Sequence, residues 1–88
     1  MIAETLEIRR KRLKYRSQHR GTKELDLVLG RFAAARLDDL DVDQIDRFEA
    51  LLDLPSPLVY AWVTGQEDPP PEMDNDVLRL LREFTLPS

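Results

Sequence analysis

Apolar residues in this chain recur at three- and four-residue intervals, with no sustained alternation, so the pattern predicts helices and no strand. The clearest stripe is Leu25, Val28, Leu29 and Phe32, the i, i+3, i+4, i+7 spacing of one buried helix face. With the strong helix formers Ala33, Ala34 and Ala35, it predicts a helix from Lys23 to Arg36. Gly30 inside it costs about 1 kcal/mol against Ala, which suggests that another helix passes close by. Ahead of it, Ile2, Leu6 and Leu13 mark a first helix that starts near Glu4 or Arg9 and ends near Ser17.

A third helix is expected from Val42 to Leu52. Asp41 is its cap, and Gln44 three residues later makes a capping-box variant. Ile45, Phe48 and Leu52 should face inward. A short fourth helix reads from Ser56 as cap and Pro57 at the first helical position through "LVYAWVT" to a stop at Gly65. The prolines of "QEDPPPEMD" predict an extended linker. A fifth helix follows Asp74 or Asn75, with Val77, Leu80, Leu81 and Phe84 as its stripe. Short loops between amphipathic helices predict an all-α fold. The expectation is a compact single-domain five-helix bundle spanning 1–88, with residues 1–8 as a candidate flexible extension. Trp62, Phe32, Phe48 and Phe84 are the expected aromatic core.

Composition adds limits. The 88 residues suffice for one modest core. No cysteine is present, which excludes disulfides, thiolate nucleophiles and cysteine metal sites. No apolar run approaches the roughly 20 residues that span a bilayer. The N-terminus has neither the apolar core nor the cleavage site of a secretory signal, and Glu4 and Glu7 argue against a mitochondrial transit peptide. The expected location is the bacterial cytoplasm, with no membrane contact.

Charge changes the picture more. Residues 1–24 hold eight Lys/Arg against three Glu (+5), and residues 25–88 hold five Arg against fourteen Asp/Glu (−9). A basic end on an acidic body suggests an oriented encounter with a partner. The plain alternative is a solvated helix face. The run "RRKRLKYR" also admits a small regulatory module that binds nucleic acid or another protein through a basic helix. Against nucleic acid stand the pI near 4.9 and the two carboxylates Glu24 and Asp26 at the start of the second helix.

Enzyme motifs are absent. The three glycines are isolated, so there is no phosphate loop. His19 is the lone histidine, and "LDDLDVDQID" lacks the order and the loop glycine of an EF-hand. No catalytic residue, metal or resident cofactor is expected. The chain offers binding, as a monomer when alone.

One stretch concentrates the remaining chemistry: "HRGTKELD", between the first two helices. Read as a hinge, Gly21 ends one helix in the left-handed conformation and Thr22 caps the next, with Glu24 and Asp26 in its first turn. That leaves unexplained Arg20 and the massing of Arg12, Arg16 and Arg20 beside a carboxylate. Hinge and binding site both remain open on these residues alone. If it is a binding site, Arg20→Ala and Glu24→Ala should fold with melting points near wild type and lose partner binding.

The segment "RLKYRSQHRGTKELDLVLGRFA" resembles the signature of the succinate dehydrogenase assembly factors that promote covalent FAD attachment. The Arg-Gly-x-x-Glu motif of that family falls on Arg20, Gly21 and Glu24, after an Arg-rich helix with Arg12 and the aromatic Tyr15. The likeness continues through "LVYAWVTG", the proline-bearing linker and "NDVLRLLREF", roughly residues 9–85. The resemblance implies a five-helix, non-enzymatic chaperone. Its partner would be the flavoprotein subunit of succinate dehydrogenase, and in bacteria also of fumarate reductase. It would assist a self-catalysed step in which a histidine of that subunit bonds to the flavin 8α-methyl. The implied partner-binding residues are Arg20, Gly21 and Glu24, with Arg12, Arg16 and His19 around them. His19 stands where many members carry Arg or Lys. FAD would belong to the partner, with none bound by this protein itself.

Overall fold

The structure, a computed structural model, describes residues 4–20 and 22–85. The expectations for Ile2 and for a left-handed Gly21 lie outside the described residues. Five α-helices follow in order: α1 (Leu6–Gln18), α2 (Lys23–Arg36), α3 (Val42–Leu52), α4 (Ser56–Val63) and α5 (Asp76–Thr85). Short 3₁₀ turns occupy Leu37–Asp39 and Pro71–Met73. Among the described residues there is no strand, and the chain is an all-α single domain.

Local chemistry sets the helix ends. Thr5 accepts the Ile8 N–H at the start of α1, so the helix takes the earlier of the two expected starts and includes Leu6–Ile8. Asp41 and Gln44 form the reciprocal capping box of α3. Gly65, at φ 78°, ends α4 in the left-handed region. The Gln66 and Gly65 N–H groups then donate to the carbonyls of Ala61 and Trp62, a Schellman closure.

Three local expectations need correction. Ser56 is the first residue of α4 and not its cap, because Pro55 takes the cap position and makes no side-chain bond. Thr22 holds the cap position of α2 in an extended conformation, but its hydroxyl accepts no capping bond. The proline linker is not extended throughout: after Pro70 it tightens into a 3₁₀ turn, since the fixed φ of proline suits a turn as well as an extended chain.

The core joins all five helices. Leu13, Leu29, Phe32, Ile45, Phe48, Val59, Val63, Val77 and Leu81 are fully buried, with Trp62 close behind. Phe32 is the aromatic centre, 5.7 Å from Phe48 and 5.8 Å edge-on from Phe84, ring centroid to centroid. Phe84, expected inside, remains 40% exposed at the last turn of α5. Leu78, which the stripe omitted, is buried instead. Gly30 does mark a close approach: a Cβ there would lie 3.0 Å from Gln18 Cγ, so the end of α1 rests against the middle of α2.

Candidate functional site: the hinge between the first two helices

The hinge site is built on the seam between α1 and α3. Arg9, Arg12 and Arg16 form one stripe of α1, and Asp46 and Glu49 of α3, with Asp53 at its C-cap, repeat the same i, i+3, i+7 spacing. Arg9 pairs with Asp46 at 2.6 Å and Glu49 at 2.7 Å. Arg12 pairs with Glu49 at 2.8 Å and with Glu4 at 2.7 Å. Arg16 pairs with Asp53 at 2.8 Å. Burial alone would raise the Glu49 carboxyl, but hydrogen bonds from Arg12 and Arg9 outweigh it and hold the group below the ordinary carboxylate value. The same contacts raise Arg12, through its hydrogen bonds to Glu4 and Glu49.

The other cations of α1 are also engaged. Arg10 donates to the Leu40 carbonyl at 2.8 Å, Lys14 meets Asp38 at 3.1 Å, and Lys11 lies 3.7 Å from Glu7. Every Lys and Arg of α1 thus has a partner within the chain. The charge asymmetry that suggested an oriented encounter is largely satisfied by α1 folding onto the acidic body. This removes the main support for nucleic acid binding through a basic helix, and it is neither a bare solvated face nor a free cationic surface.

Arg20 continues the stripe past the end of α1. Its guanidinium donates to the carbonyls of Leu52 and, at 2.6 Å, Leu54, the unsatisfied acceptors where α3 ends. Its backbone N–H donates to Asp26 Oδ1 at 2.6 Å, so α2 reaches back over the hinge. Burial, and then the neighbouring charge of Arg16, lower the Arg20 pKa from its ordinary value, although a guanidinium stays charged in water. Arg20 therefore ties the hinge to the α3–α4 connection. These contacts argue against the expectation that Arg20→Ala melts like the wild type.

The rest of the predicted set divides in two. His19, at the end of α1, stacks on Tyr15 with centroids 4.0 Å apart. Its Nδ1 donates to the Tyr15 carbonyl at 2.8 Å, and its Nε2 makes no hydrogen bond among the described residues. Tyr15, Arg16, His19 and Arg20 line a shallow depression of about 290 Å³. Glu24 is exposed in the first turn of α2 and makes no ion pair or hydrogen bond among the described residues. It lines a groove of about 310 Å³ with Thr22, Ser56, Pro57 and Tyr60. The structure thus gathers Arg16, His19 and Arg20 on one side of the hinge and Glu24 on the other, with Arg12 one turn back along α1.

As site residues, Ser56, Pro57 and Tyr60 escaped the sequence reading, as did Glu49. A signal for Glu49 was present: the acidic stripe at 46, 49 and 53 matches the basic stripe at 9, 12 and 16. Nothing in the sequence pointed to the α4 residues. Among the described residues, no group of three or more His, Asp or Glu has metal-binding geometry, and no helix is long and apolar enough to cross a membrane.

Comparison with known proteins covers this region of the chain. The family described as the flavinator of succinate dehydrogenase matches residues 11–85, which include the hinge and all five helices in whole or part. The chain belongs to that family. Its relatives include a mitochondrial succinate dehydrogenase assembly factor 2 of Meyerozyma guilliermondii, 40% identical over 84 residues, covering 91% of this chain and 62% of that protein. A mitochondrial succinate dehydrogenase assembly factor 2-A of Drosophila mojavensis is 39% identical over 82 residues, with 91% and 52% covered. The FAD assembly factor SdhE of Acetobacter pasteurianus is 35% identical over 80 residues, with 91% and 73% covered. The chain thus spans about half to three-fifths of the mitochondrial relatives, 52% and 62% here, and more of the bacterial one, 73%. Within the family, the Arg-Gly-x-x-Glu motif of this chain is a hinge whose arginine is braced inward and whose glutamate is presented outward.

Proposed function

We propose that this protein is a non-enzymatic assembly factor that binds the flavoprotein subunit of succinate dehydrogenase, and of fumarate reductase where present, and promotes covalent attachment of its FAD. The family match across residues 11–85 carries this reading. The names of the relatives support it, since they are called succinate dehydrogenase and FAD assembly factors. In this reading the protein acts as a monomer in the bacterial cytoplasm, and the FAD belongs to the partner. Two carboxylates, Glu24 and Asp26, in the first turn of α2 disfavour a pyrophosphate at that helix end.

The contact face is the hinge: Arg20, Gly21 and Glu24, with His19 beside them and Arg12 and Arg16 at its border. Flavin attachment needs the isoalloxazine and the partner's nucleophile held in one arrangement. A bound factor favours that arrangement if it binds it more tightly than the alternatives, without contributing a reacting group. Glu24 supplies an outward charge for a basic group of the partner. Arg20 fixes where that charge stands. The test is a pull-down of the flavoprotein subunit with in-gel flavin fluorescence. Co-purification and faster covalent labelling are expected. No binding and an unchanged labelling rate would contradict the proposal.

A further inference from the structure

We propose that the groove between the hinge and the start of α4 receives a lysine or arginine side chain of the flavoprotein partner. The proposal rests on the function proposed above and gives its contact a chemical identity. The groove, about 310 Å³, has one carboxylate, Glu24, and a wall that includes Pro57 and Tyr60. A long aliphatic stem with a cationic head satisfies both features. The stem lies on the proline and tyrosine rings, and the head reaches the carboxylate. A purely apolar side chain would desolvate Glu24 without a partner, and an acidic one would be repelled.

Three observations point the same way. Nearby carboxylates are engaged within the chain: Asp26 accepts the Arg20 N–H and Asp53 pairs with Arg16. Glu24 has no ion pair or hydrogen bond among the described residues. Lys23 is next to Glu24 in α2, but adjacent helical side chains do not face each other, so it is poorly placed to fill this role. The spacing of the two walls is also built in. Arg20 holds Leu52 and Leu54 to the hinge, and Ser56 and Pro57 follow directly after Pro55. Tyr60 and Pro57 are therefore specificity residues of the contact, although they lie outside the Arg-Gly-x-x-Glu motif.

A double-mutant cycle tests this on the full chain. Affinity for the flavoprotein subunit is measured for wild type, Glu24→Gln, Tyr60→Ala and the double variant, each with its melting curve. A fourth variant, Ser56→Lys, places a cation in the groove from within and leaves the tyrosine in place. Each single change should weaken binding on the order of tenfold. The double should be little weaker than the worse single, because both residues act on one incoming side chain. Ser56→Lys should also weaken binding while the fold persists. If Glu24→Gln weakens binding but Tyr60→Ala and Ser56→Lys do not, the groove is not the receptor, and the assembly-factor reading stands. Fully multiplicative losses in the double variant overturn the proposal in the same way. If the wild type itself does not bind the flavoprotein, the functional reading fails and takes the groove proposal with it.

Discussion

Glu49 and Glu24 are both glutamates set near a line of arginines, yet they stand in opposite conditions. Glu49 lies inside the α1–α3 seam, takes hydrogen bonds from Arg9 and Arg12, and is held below the ordinary carboxylate value. Glu24 lies one helix away on the outside of the hinge, without an ion pair among the described residues. Arg20 stands between the two regions. It has the residue type of the seam and a position in the motif, and its guanidinium faces inward to the end of α3. Counting charges therefore says little about function. The charges on the seam hold the fold together, and Glu24, unpaired among the described residues, is available to a partner.

The contrast can be broken by substitution, starting with the seam. Glu49→Ala removes an acceptor shared by Arg9 and Arg12 and should lower stability by about 1.5–3 kcal/mol, the range for hydrogen bonds to charged groups. Urea unfolding measures this. A loss near zero would mean that the seam behaves like ordinary surface ion pairs, whose worth is about 0–1 kcal/mol. Arg20→Ala comes next. It leaves the Leu54 carbonyl to water and the Leu52 carbonyl to Arg16 alone, and should cost about 1–2 kcal/mol while also weakening partner binding. Arg20→Lys should recover only part of both, because an ammonium cannot span two carbonyls as a planar fork does. A melting curve for Arg20→Ala that overlays the wild type would show that the brace is idle.

Acid sharpens the same contrast. The folded Glu49 carboxyl is depressed, so the unfolded chain takes up that proton first as pH falls. Its contribution is complete above the ordinary carboxylate range and is lost as pH drops through the lower, folded value. Glu49→Gln should therefore flatten the acid limb of stability against pH below about pH 4. The smallest effect belongs to Glu24→Ala, which removes only a favourable charge in the first turn of α2 and should cost about 0.3 kcal/mol.

Much of the fold was legible because helix starts and stops are local. Asp41 with Gln44, Gly65 and the stripe through Phe32 each act within a few residues, and α2 and α3 lie where the pattern placed them. Phe84 misled for the same reason. Its spacing fits the stripe of α5, but the exposure of a last turn depends on what packs over it, which spacing does not encode. At the site, the motif located the hinge but gave no direction to its side chains. That Arg20 turns inward follows from where α3 ends, some thirty residues later in the chain. That Glu24 shares a groove with Tyr60 depends on the α3–α4 connection returning to the hinge. Both are long-range facts. The matching basic and acidic stripes were a long-range signal written in the sequence, as was Gly30 at the crossing of α1 and α2.

The central claim is that the hinge glutamate serves the partner and not the fold. The direct test is the rate of covalent flavin attachment to the flavoprotein subunit, followed by in-gel fluorescence, with Glu24→Ala compared to wild type at equal concentration. The account predicts a variant that melts like the wild type and gives sharply slower attachment. Attachment at the wild-type rate by a fully folded Glu24→Ala would contradict it and leave "HRGTKELD" as a hinge alone.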